Sequence, residues 1–227
     1  MPAETLTEEQ IAEIAKTGLF YGHKKTVTHP KMKPFLGGRR NDIEIIDPDQ
    51  TMKSLAKAVE FLKSVVSQGG LVLWVGTKAP AKAAVKSIAD ELKSPYVTFR
   101  WLGGILTNFK VISARLNYFL DLKAKQAKGE LSKYTKKEQL EFAKEVQKMT
   151  RIFDGLAPLT RLPAALFIVD AKEHETAVRE ARRLKIPVVA MIDSNDDPTL
   201  VDYPIFANDH AKASIEWVVE KIKEGIK

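Results

Sequence analysis

The sequence predicts an α/β protein in which a parallel sheet is covered by helices on both faces and interrupted once by a helical insertion. Short continuous apolar runs such as Leu71–Val75 and Val188–Ile192 are typical of strands buried on both faces. Segments with helical periodicity separate these runs, and such alternation indicates a parallel sheet. Between Leu106 and Gly155 no strand can be drawn, which indicates the insertion.

The N-terminal region is predicted to contain a short helix and an irregular arm. Over Thr7–Gly18, Thr7 and Gln10 are spaced as a capping box, and Gly18 is a helix stop. Gly22–Arg40 holds glycine, proline, histidine and lysine without apolar periodicity, which indicates a loop or an irregular extended arm.

The rest of the body alternates strands with helices, as judged from apolar runs and from apolar residues recurring at helical spacing. The predicted strands are Ile43–Ile46, Leu71–Val75, Tyr96–Phe99, Leu166–Val169 and Val188–Ile192. The predicted helices are Thr51–Ser67, one that opens near Pro80, Glu173–Leu184, and a last one capped by Asn208.

The insertion is predicted to be an antiparallel coiled-coil hairpin. Apolar residues recur three and four positions apart on both sides of a break at Gly129, and Thr135 with Glu138 forms a second capping box. The chain is therefore divided into a discontinuous body, 1–105 and 156–227, and a protruding hairpin, 106–155. The seam residues are Phe109, Ile112, Leu116, Phe119, Phe142, Val146, Met149 and Phe153.

Composition narrows the class of protein. With 227 residues, 44% of them hydrophobic, the chain can bury a substantial core. The sequence contains no run of about 18 apolar residues, which is the length that a membrane-spanning helix needs. The absence of cysteine excludes disulfides, thiolate metal sites and cysteine nucleophiles. The N-terminus lacks the patterns of a secretory signal and of a transit peptide, so we expect a cytoplasmic protein.

The positive charge is concentrated in two segments. The whole chain carries +7, whereas Gly22–Asp42 holds six basic residues against one acid and Ile105–Gly155 holds eleven against six. Each segment therefore carries +5, which leaves −3 for the remaining residues. Two basic segments on a mildly acidic body predict two surfaces that face a polyanion, most simply a nucleic acid.

These two segments, together with two loops, supply the candidate phosphate-binding residues. The alternative interpretation of such a basic segment is a solvated surface loop that binds nothing. The turn that contains Lys78 lacks the glycine spacing of a phosphate-binding loop, so it predicts at most a contact with an RNA backbone. Arg100 and Trp101 could both stack on or grip RNA, but Trp101 is more simply expected to fill the joint between strand and insertion. The RNA-binding candidates are Lys24, Lys25, Lys31, Lys33, Arg39, Arg40, Lys78, Arg100, Lys136, Lys137, Lys144 and Lys148.

Two rival functions are considered. Asp170 and Asp193 follow predicted strands, so a metal-dependent phosphohydrolase is conceivable, and His23, the aspartates at 193–197 and Asp209–His210 could form a metal site by tertiary approach. No nucleophile–base pair is evident, however, and aspartates at strand ends commonly cap turns. We therefore predict no catalytic residue, metal or cofactor, and expect His29 and His174 on the surface. The other rival is an adaptor whose hairpin binds a protein.

Several motifs resemble the bacterial type of the small-subunit ribosomal protein two family, from about Gly18 to the C-terminal helix. The most specific is Arg100–Asn108, which reads Arg-Trp-Leu-Gly-Gly-Ile-Leu-Thr-Asn. The family usually carries a histidine where this chain has Phe20, and glycine and histidine at the positions of Asp42 and Glu44. The other matching motifs are Lys31–Pro34, Ile43–Asp47, Val75–Lys78, Tyr134–Glu138, Leu162–Asp170, Lys172–His174 and Ile186–Asn195.

The resemblance implies a flavodoxin-like or Rossmann-like sheet with a protruding coiled coil. It implies a non-enzymatic protein that lies between the head and the body of the small ribosomal subunit and contacts its RNA. Neighbouring small-subunit proteins are implied partners, and so is the large messenger-binding first protein in organisms that have it; no membrane is implied.

Overall fold

Eight strands and six α-helices follow one another along residues 14–227, which are the residues that the computed structural model describes. The strands are β1 Tyr21–Lys24, β2 Leu36–Arg40, β3 Ile43–Ile46, β4 Val72–Val75, β5 Tyr96–Val97, β6 Ala165–Val169, β7 Val188–Ile192 and β8 Tyr203–Phe206. The helices are α1 Pro48–Ser67, α2 Ala79–Glu91, α3 Phe109–Ala127, α4 Lys136–Phe153, α5 Glu175–Arg183 and α6 Lys212–Ile226.

The main sheet confirms the predicted fold class. Its five strands lie in the order β5-β4-β6-β7-β8, and every neighbouring pair is parallel. Because side chains alternate along a strand, Val72 and Trp74 of β4 point to one face, and Leu73 and Val75 to the other. Each set belongs to a different buried apolar cluster. Helices α1, α2 and α6 cover the first face, and α5 contributes to the second.

Strand β8 was not predicted, and its sequence contains a proline, which disfavours a central strand. Pro204 lies opposite Ala190 of β7. Since β8 is an edge strand of this sheet, the amide that proline lacks is not needed for a further ladder. The edge position therefore tolerates a residue that argues against a central strand.

A second, three-stranded antiparallel sheet corrects the prediction of an irregular arm over Gly22–Arg40. Strand β3 lies in the middle, between β1 and β2. Strands β2 and β3 are joined by Asn41 and Asp42, with φ of 49° and 62°, as a two-residue hairpin turn of type I′ requires. Only the segment between β1 and β2 is irregular, and it includes the short 3₁₀ helix Pro30–Phe35.

The two insertion helices bury the predicted seam. Leu116, Phe119, Val146, Met149 and Phe153 are buried, and the remaining seam residues pack against the same cluster. This cluster also contains one face of the main sheet. The capping box of α4 is confirmed, since Thr135 and Glu138 exchange hydrogen bonds. The division into body and hairpin, and the coiled-coil geometry, stay predictions.

The ends of the chain differ in part from the prediction. Most of the helix expected over Thr7–Gly18, including Thr7 and Gln10, lies outside the described residues. Asn208 does not cap α6 directly, because Ala211 holds the N-cap position. The Asn208 side chain instead accepts hydrogen bonds from the amides of His210 and Ala211, in the turn before the helix. From residue 14 onward, none of the helices has both the length and the hydropathy needed to cross a bilayer.

Candidate nucleic-acid interface

The small sheet arranges the first group of predicted cations. Lys24 of β1 and Arg40 of β2 both pair in register with Ile43 of the central strand. Residues directly opposite one another on paired strands lie on the same face, so Lys24 and Arg40 flank Ile43 in one row. Both side chains are exposed, and the ion pairs within residues 14–227 involve neither of them.

A groove of about 650 Å³ collects three more predicted cations, Lys25, Lys33 and Arg39. Lys25 and Lys33 are exposed and have no carboxylate partner in the described part of the chain. Arg39 differs, because its guanidinium donates to Oε1 of the buried Glu44 at 3.2 Å. We call Lys24, Lys25, Lys33 and Arg40 the N-terminal basic surface.

Two other predicted cations are engaged within the protein. Lys31 Nζ donates to Oδ2 of Asp197 at 2.8 Å and to Thr199 Oγ1 at 2.9 Å. Despite partial burial, these contacts and the hydrogen bonds from Thr199 hold the pKa of Asp197 well below its usual range. Lys78 forms an ion pair with the buried Asp170. Their charges are thus partly neutralised, which the sequence did not indicate.

The arm is fixed to the loop after β7. The amide of His23 donates to Ser194 Oγ at 2.7 Å, and the amide of His29 donates to the Ser194 carbonyl at 2.8 Å. At Gly22 a Cβ atom would lie only 2.7 Å from Ser194 Oγ, so only glycine allows this approach. The basic side chains are therefore presented on a backbone that the body holds in place.

A second candidate region is the loop that follows β5. Phe99 and Arg100 are exposed, whereas Trp101 is half-buried against the core. The Trp101 indole donates to Glu180 Oε1 at 3.1 Å, which agrees with the structural role expected for this residue. Arg100 takes part in none of the ion pairs found among the described residues.

Glu180, on α5, is a positioning residue that the sequence did not reveal. Besides the indole, its carboxylate accepts hydrogen bonds from the amides of Gly104, Leu106 and Thr107 and from the Thr107 hydroxyl, at 2.8 to 3.1 Å. Burial opposes ionisation, but these donors lower the pKa of Glu180. A single carboxylate thus determines the conformation of the loop after β5, from a position more than seventy residues away.

The insertion adds further cations near Arg100. Arg100, Arg115 of α3 and Lys148 of α4 line one cavity of about 450 Å³. Arg115 was not among the predicted residues, because nothing in the local sequence distinguishes it from other exposed arginines. Lys144 is exposed one turn before Lys148. Also exposed are the two predicted lysines of the first turn of α4, Lys136 and Lys137.

A polar cluster of buried aspartates and more exposed histidines lies at the carboxyl ends of β6, β7 and β8. His23 Nδ1 is 3.0 Å from Asp193 Oδ2, and the rings of His23 and His210 meet edge to face at 4.8 Å. The side chains of His23, Asp193 and His210 offer ligand atoms within 4.8 Å of one another, as do those of Asp170, Asp209 and His210. The tertiary approach of these residues that was considered from the sequence therefore does occur. Imidazole and carboxylate groups are ligands that suit a divalent transition metal such as zinc.

Two carboxyl groups in and beside this cluster have raised pKa values. Burial, together with the charges of Asp209 and Asp170, raises the pKa of Asp196 to about 7. Burial also raises the pKa of Asp209 to about 6, against its hydrogen bond from His210. The Nζ atom of Lys78 lies 3.0 Å from His210 Nε2 and supplies a compensating positive charge.

The structure also shows where the other two histidines and Phe20 lie. His174 is buried, not on the surface as predicted, since its ring contacts the Asp170 carbonyl and Thr77 Oγ1. His29 is half-buried and accepts weakly from the Lys31 amide as a helix cap. Phe20 lies in the apolar core, so it offers nothing to the polar cluster.

Comparisons with known proteins identify the family of this chain. The family described as ribosomal protein S2 matches residues 14–227. The small ribosomal subunit protein uS2 of Coprothermobacter proteolyticus is 40% identical over 95% of this chain and 81% of its own length. The uS2 proteins of Roseiflexus castenholzii and Acidothermus cellulolyticus are 42% and 43% identical, over 93% and 94% of this chain and 80% and 78% of their own lengths. With so extensive a match, the chain belongs to the ribosomal protein S2 family.

Proposed function

We propose that this protein binds small-subunit ribosomal RNA through two cationic surfaces and thereby helps to shape the subunit. The family makes it a structural, non-enzymatic component of the small subunit of cytoplasmic ribosomes, so the phosphohydrolase alternative is wrong. The observation that carries the proposal is the exposure of cations that have no carboxylate partner among the described residues. The N-terminal basic surface is one of these two surfaces, and Arg100 with the predicted lysines of α4 forms the other.

Binding is expected to act through charge and shape. Phosphate contacts position a protein on RNA without reading its sequence, so specificity follows from how two separated surfaces span a folded RNA. Lys31, Arg39 and Lys78 contribute less than the other candidates, because a carboxylate already neutralises each of them. Their contribution is mainly to position the arm and the loops.

The finer placement follows the family resemblance. We infer a position between the head and the body of the subunit, with neighbouring ribosomal proteins and the large messenger-binding first protein as partners. Two basic surfaces on different parts of one chain suit a bridging role. The lysines of α4 place one side of the hairpin over 106–155 against RNA in this proposal, and the exposed apolar side chains Val111 and Leu140 favour an additional contact with a protein there.

A charge-reversal experiment tests the first surface. Changing Lys24, Lys25, Lys33 and Arg40 to glutamate should weaken binding to small-subunit RNA at least tenfold. It should also flatten the slope of log K against log salt by roughly 3, at about 0.7 per lost phosphate contact. The readouts are the affinity for small-subunit RNA at salt concentrations from about 50 to about 300 mM, and the incorporation of the protein into subunits.

A matched control uses four other exposed lysines, Lys53, Lys57, Lys63 and Lys86, on α1 and α2. Reversing them changes the net charge equally but should leave RNA affinity within about twofold, after the general charge effect is screened at high salt. Equal losses in the two variants, or normal incorporation of the first, would refute the proposed surface.

A further inference from the structure

A cavity opens at the carboxyl end of the main sheet, where the strand order reverses. Strand β4 has β5 on one side and β6 on the other, so the chain leaves β4 in one direction and later returns on its opposite side. Loops diverge at such a point, and open α/β sheets bind ligands in the crevice between them. The cavity has a volume of about 350 Å³ and is lined by Thr77, Phe99, Arg100, Trp101, Glu173 and Thr176.

The cavity exposes an aromatic ring beside an arginine. Phe99 is 50% exposed. Arg100 is also exposed and forms no ion pair within residues 14–227. An exposed ring offers a stacking surface for a nucleobase, and a free guanidinium offers two parallel donors to a phosphate.

The wall of the cavity also presents hydrogen-bond acceptors. His174 Nδ1 lies 2.9 Å from the carbonyl of Asp170, which can only accept, so in the neutral ring Nδ1 carries the proton. Nε2 then accepts from the Thr77 hydroxyl at 3.0 Å. The free lone pairs of Thr77 Oγ1 and the carboxylate of Glu173 thus remain as acceptors. Such a wall suits a base edge with adjacent N–H donors, and guanine has two, N1–H and the N2 amino group.

The cavity is preformed. Glu180 holds Trp101 and the amides of Gly104 and Leu106 by hydrogen bonds, so the loop that carries Phe99 and Arg100 is fixed at its next residues. Gly104 has φ +94°, a conformation in which other residues are strained. Preformed sites lose less conformational entropy on binding than mobile loops do.

The cavity also continues into a cationic path. Arg100 lines both this cavity and the neighbouring one that contains Arg115 and Lys148. A free nucleotide would need only the first cavity, whereas the next phosphates of a strand would reach the second. The arrangement therefore favours a nucleotide that is part of a chain.

We propose that this cavity binds one unpaired guanine of an RNA strand. The base stacks on Phe99, Glu173 accepts from its Watson–Crick edge, and Arg100 binds its phosphate while the strand continues past Arg115 and Lys148. The inference rests on the proposed RNA-binding function and adds to it a single-nucleotide recognition site.

The test compares two pentaribonucleotides, UUGUU and UUUUU, with the full-length protein. UUGUU should bind about tenfold more tightly, because a good bidentate contact discriminates by a factor of this order. Phe99→Leu should weaken UUGUU binding about tenfold through lost stacking. Glu173→Gln should remove the preference for UUGUU, whereas Glu175→Gln, an equal charge change outside the cavity, should preserve it. Guanosine monophosphate should bind at least tenfold more weakly than UUGUU.

Each contrary result has a distinct meaning. No preference for UUGUU, or no effect of Phe99→Leu in a variant with an unchanged melting temperature, overturns the guanine site. Equal affinity for guanosine monophosphate overturns the strand assignment. Small-subunit RNA binding is measured in parallel: if it persists and depends on the N-terminal basic surface, only this inference fails, and if it is absent, the proposed function fails as well.

Discussion

The Glu180 side chain holds the segment Trp101–Thr107 in one conformation through its hydrogen bonds. Its carboxylate is buried and satisfied by one indole, three amides and one hydroxyl, all in the Trp101–Thr107 segment. An ionised group that is taken out of water needs such a set of donors, and each charge-assisted hydrogen bond is stronger than a neutral one. The loop after β5 is therefore coupled to the face of α5.

Replacing Glu180 by glutamine should be strongly destabilising at neutral pH. The side-chain amide nitrogen of the introduced glutamine would face backbone amides that need an acceptor, so the free energy of unfolding should fall by roughly 2–4 kcal/mol. Since the folded pKa of Glu180 is lowered, its stabilisation is complete above the ordinary value of 4.5 and is lost as pH falls through the folded value.

Urea denaturation at neutral pH checks the predicted loss of stability, and urea denaturation well below pH 4.5 checks its dependence on pH. The difference between wild type and Glu180→Gln should shrink in acid. Glu175→Gln is the control, because among residues 14–227 Glu175 pairs only with Arg179, at an exposed site, and its replacement should cost about 1 kcal/mol or less. A pH-independent difference, or equal effects of the two substitutions, would contradict this account.

The β2–β3 hairpin shows why one element escaped prediction. Strand β2 contains two glycines and two arginines and lacks the apolar alternation of a half-buried strand. What stabilises it is its pairing with β3, including the Arg39–Glu44 ion pair, and the Asn41–Asp42 turn. Tertiary pairing thus overrides a sequence whose local preference is irregular.

Asp42→Gly should stabilise this hairpin. Asp42 has φ +62°, where glycine has no steric penalty, and Asn-Gly is the preferred type I′ turn. We expect a gain of roughly 0.5–1 kcal/mol in the free energy of unfolding, measured by thermal or urea denaturation. The Asp42 carbonyl keeps its hydrogen bond from the Lys25 amide. A loss of stability would show that the Asp42 side chain contributes more than its backbone conformation suggests.

Helix α4 carries a charge arrangement that opposes its own stability. Lys136 and Lys137 occupy its first turn, where the helix dipole favours acidic side chains. Changing both to glutamate should stabilise the protein by roughly 0.3–1 kcal/mol per residue and weaken its binding to small-subunit RNA. The measurements are a melting curve and an affinity titration. If stability rises and RNA affinity is unchanged, the two lysines do not contact RNA.

At the scale of the whole molecule, the body was predictable because buried parallel strands are continuous apolar runs. Strand β7 has the predicted bounds, and β4 and β6 differ by one residue each. The candidate site was predictable only as a set of exposed cations. The Lys31–Asp197 contact joins residues 166 positions apart, and the Glu180 network joins residues from 73 to 79 apart. No periodicity or spacing encodes such partners, since they arise only when strands bring their loops to one edge.

The attachment of the N-terminal arm to Ser194 bears on how quickly a ribosome can take up this protein. Its hydrogen bonds form when the free chain folds, so the loss of backbone freedom is complete before any encounter with RNA. Docking then requires no slow rearrangement of this segment, and long-range attraction between lysines and phosphates can accelerate the approach. We therefore expect the incorporation of this protein into a nascent particle to be limited by diffusion and by the maturity of the RNA.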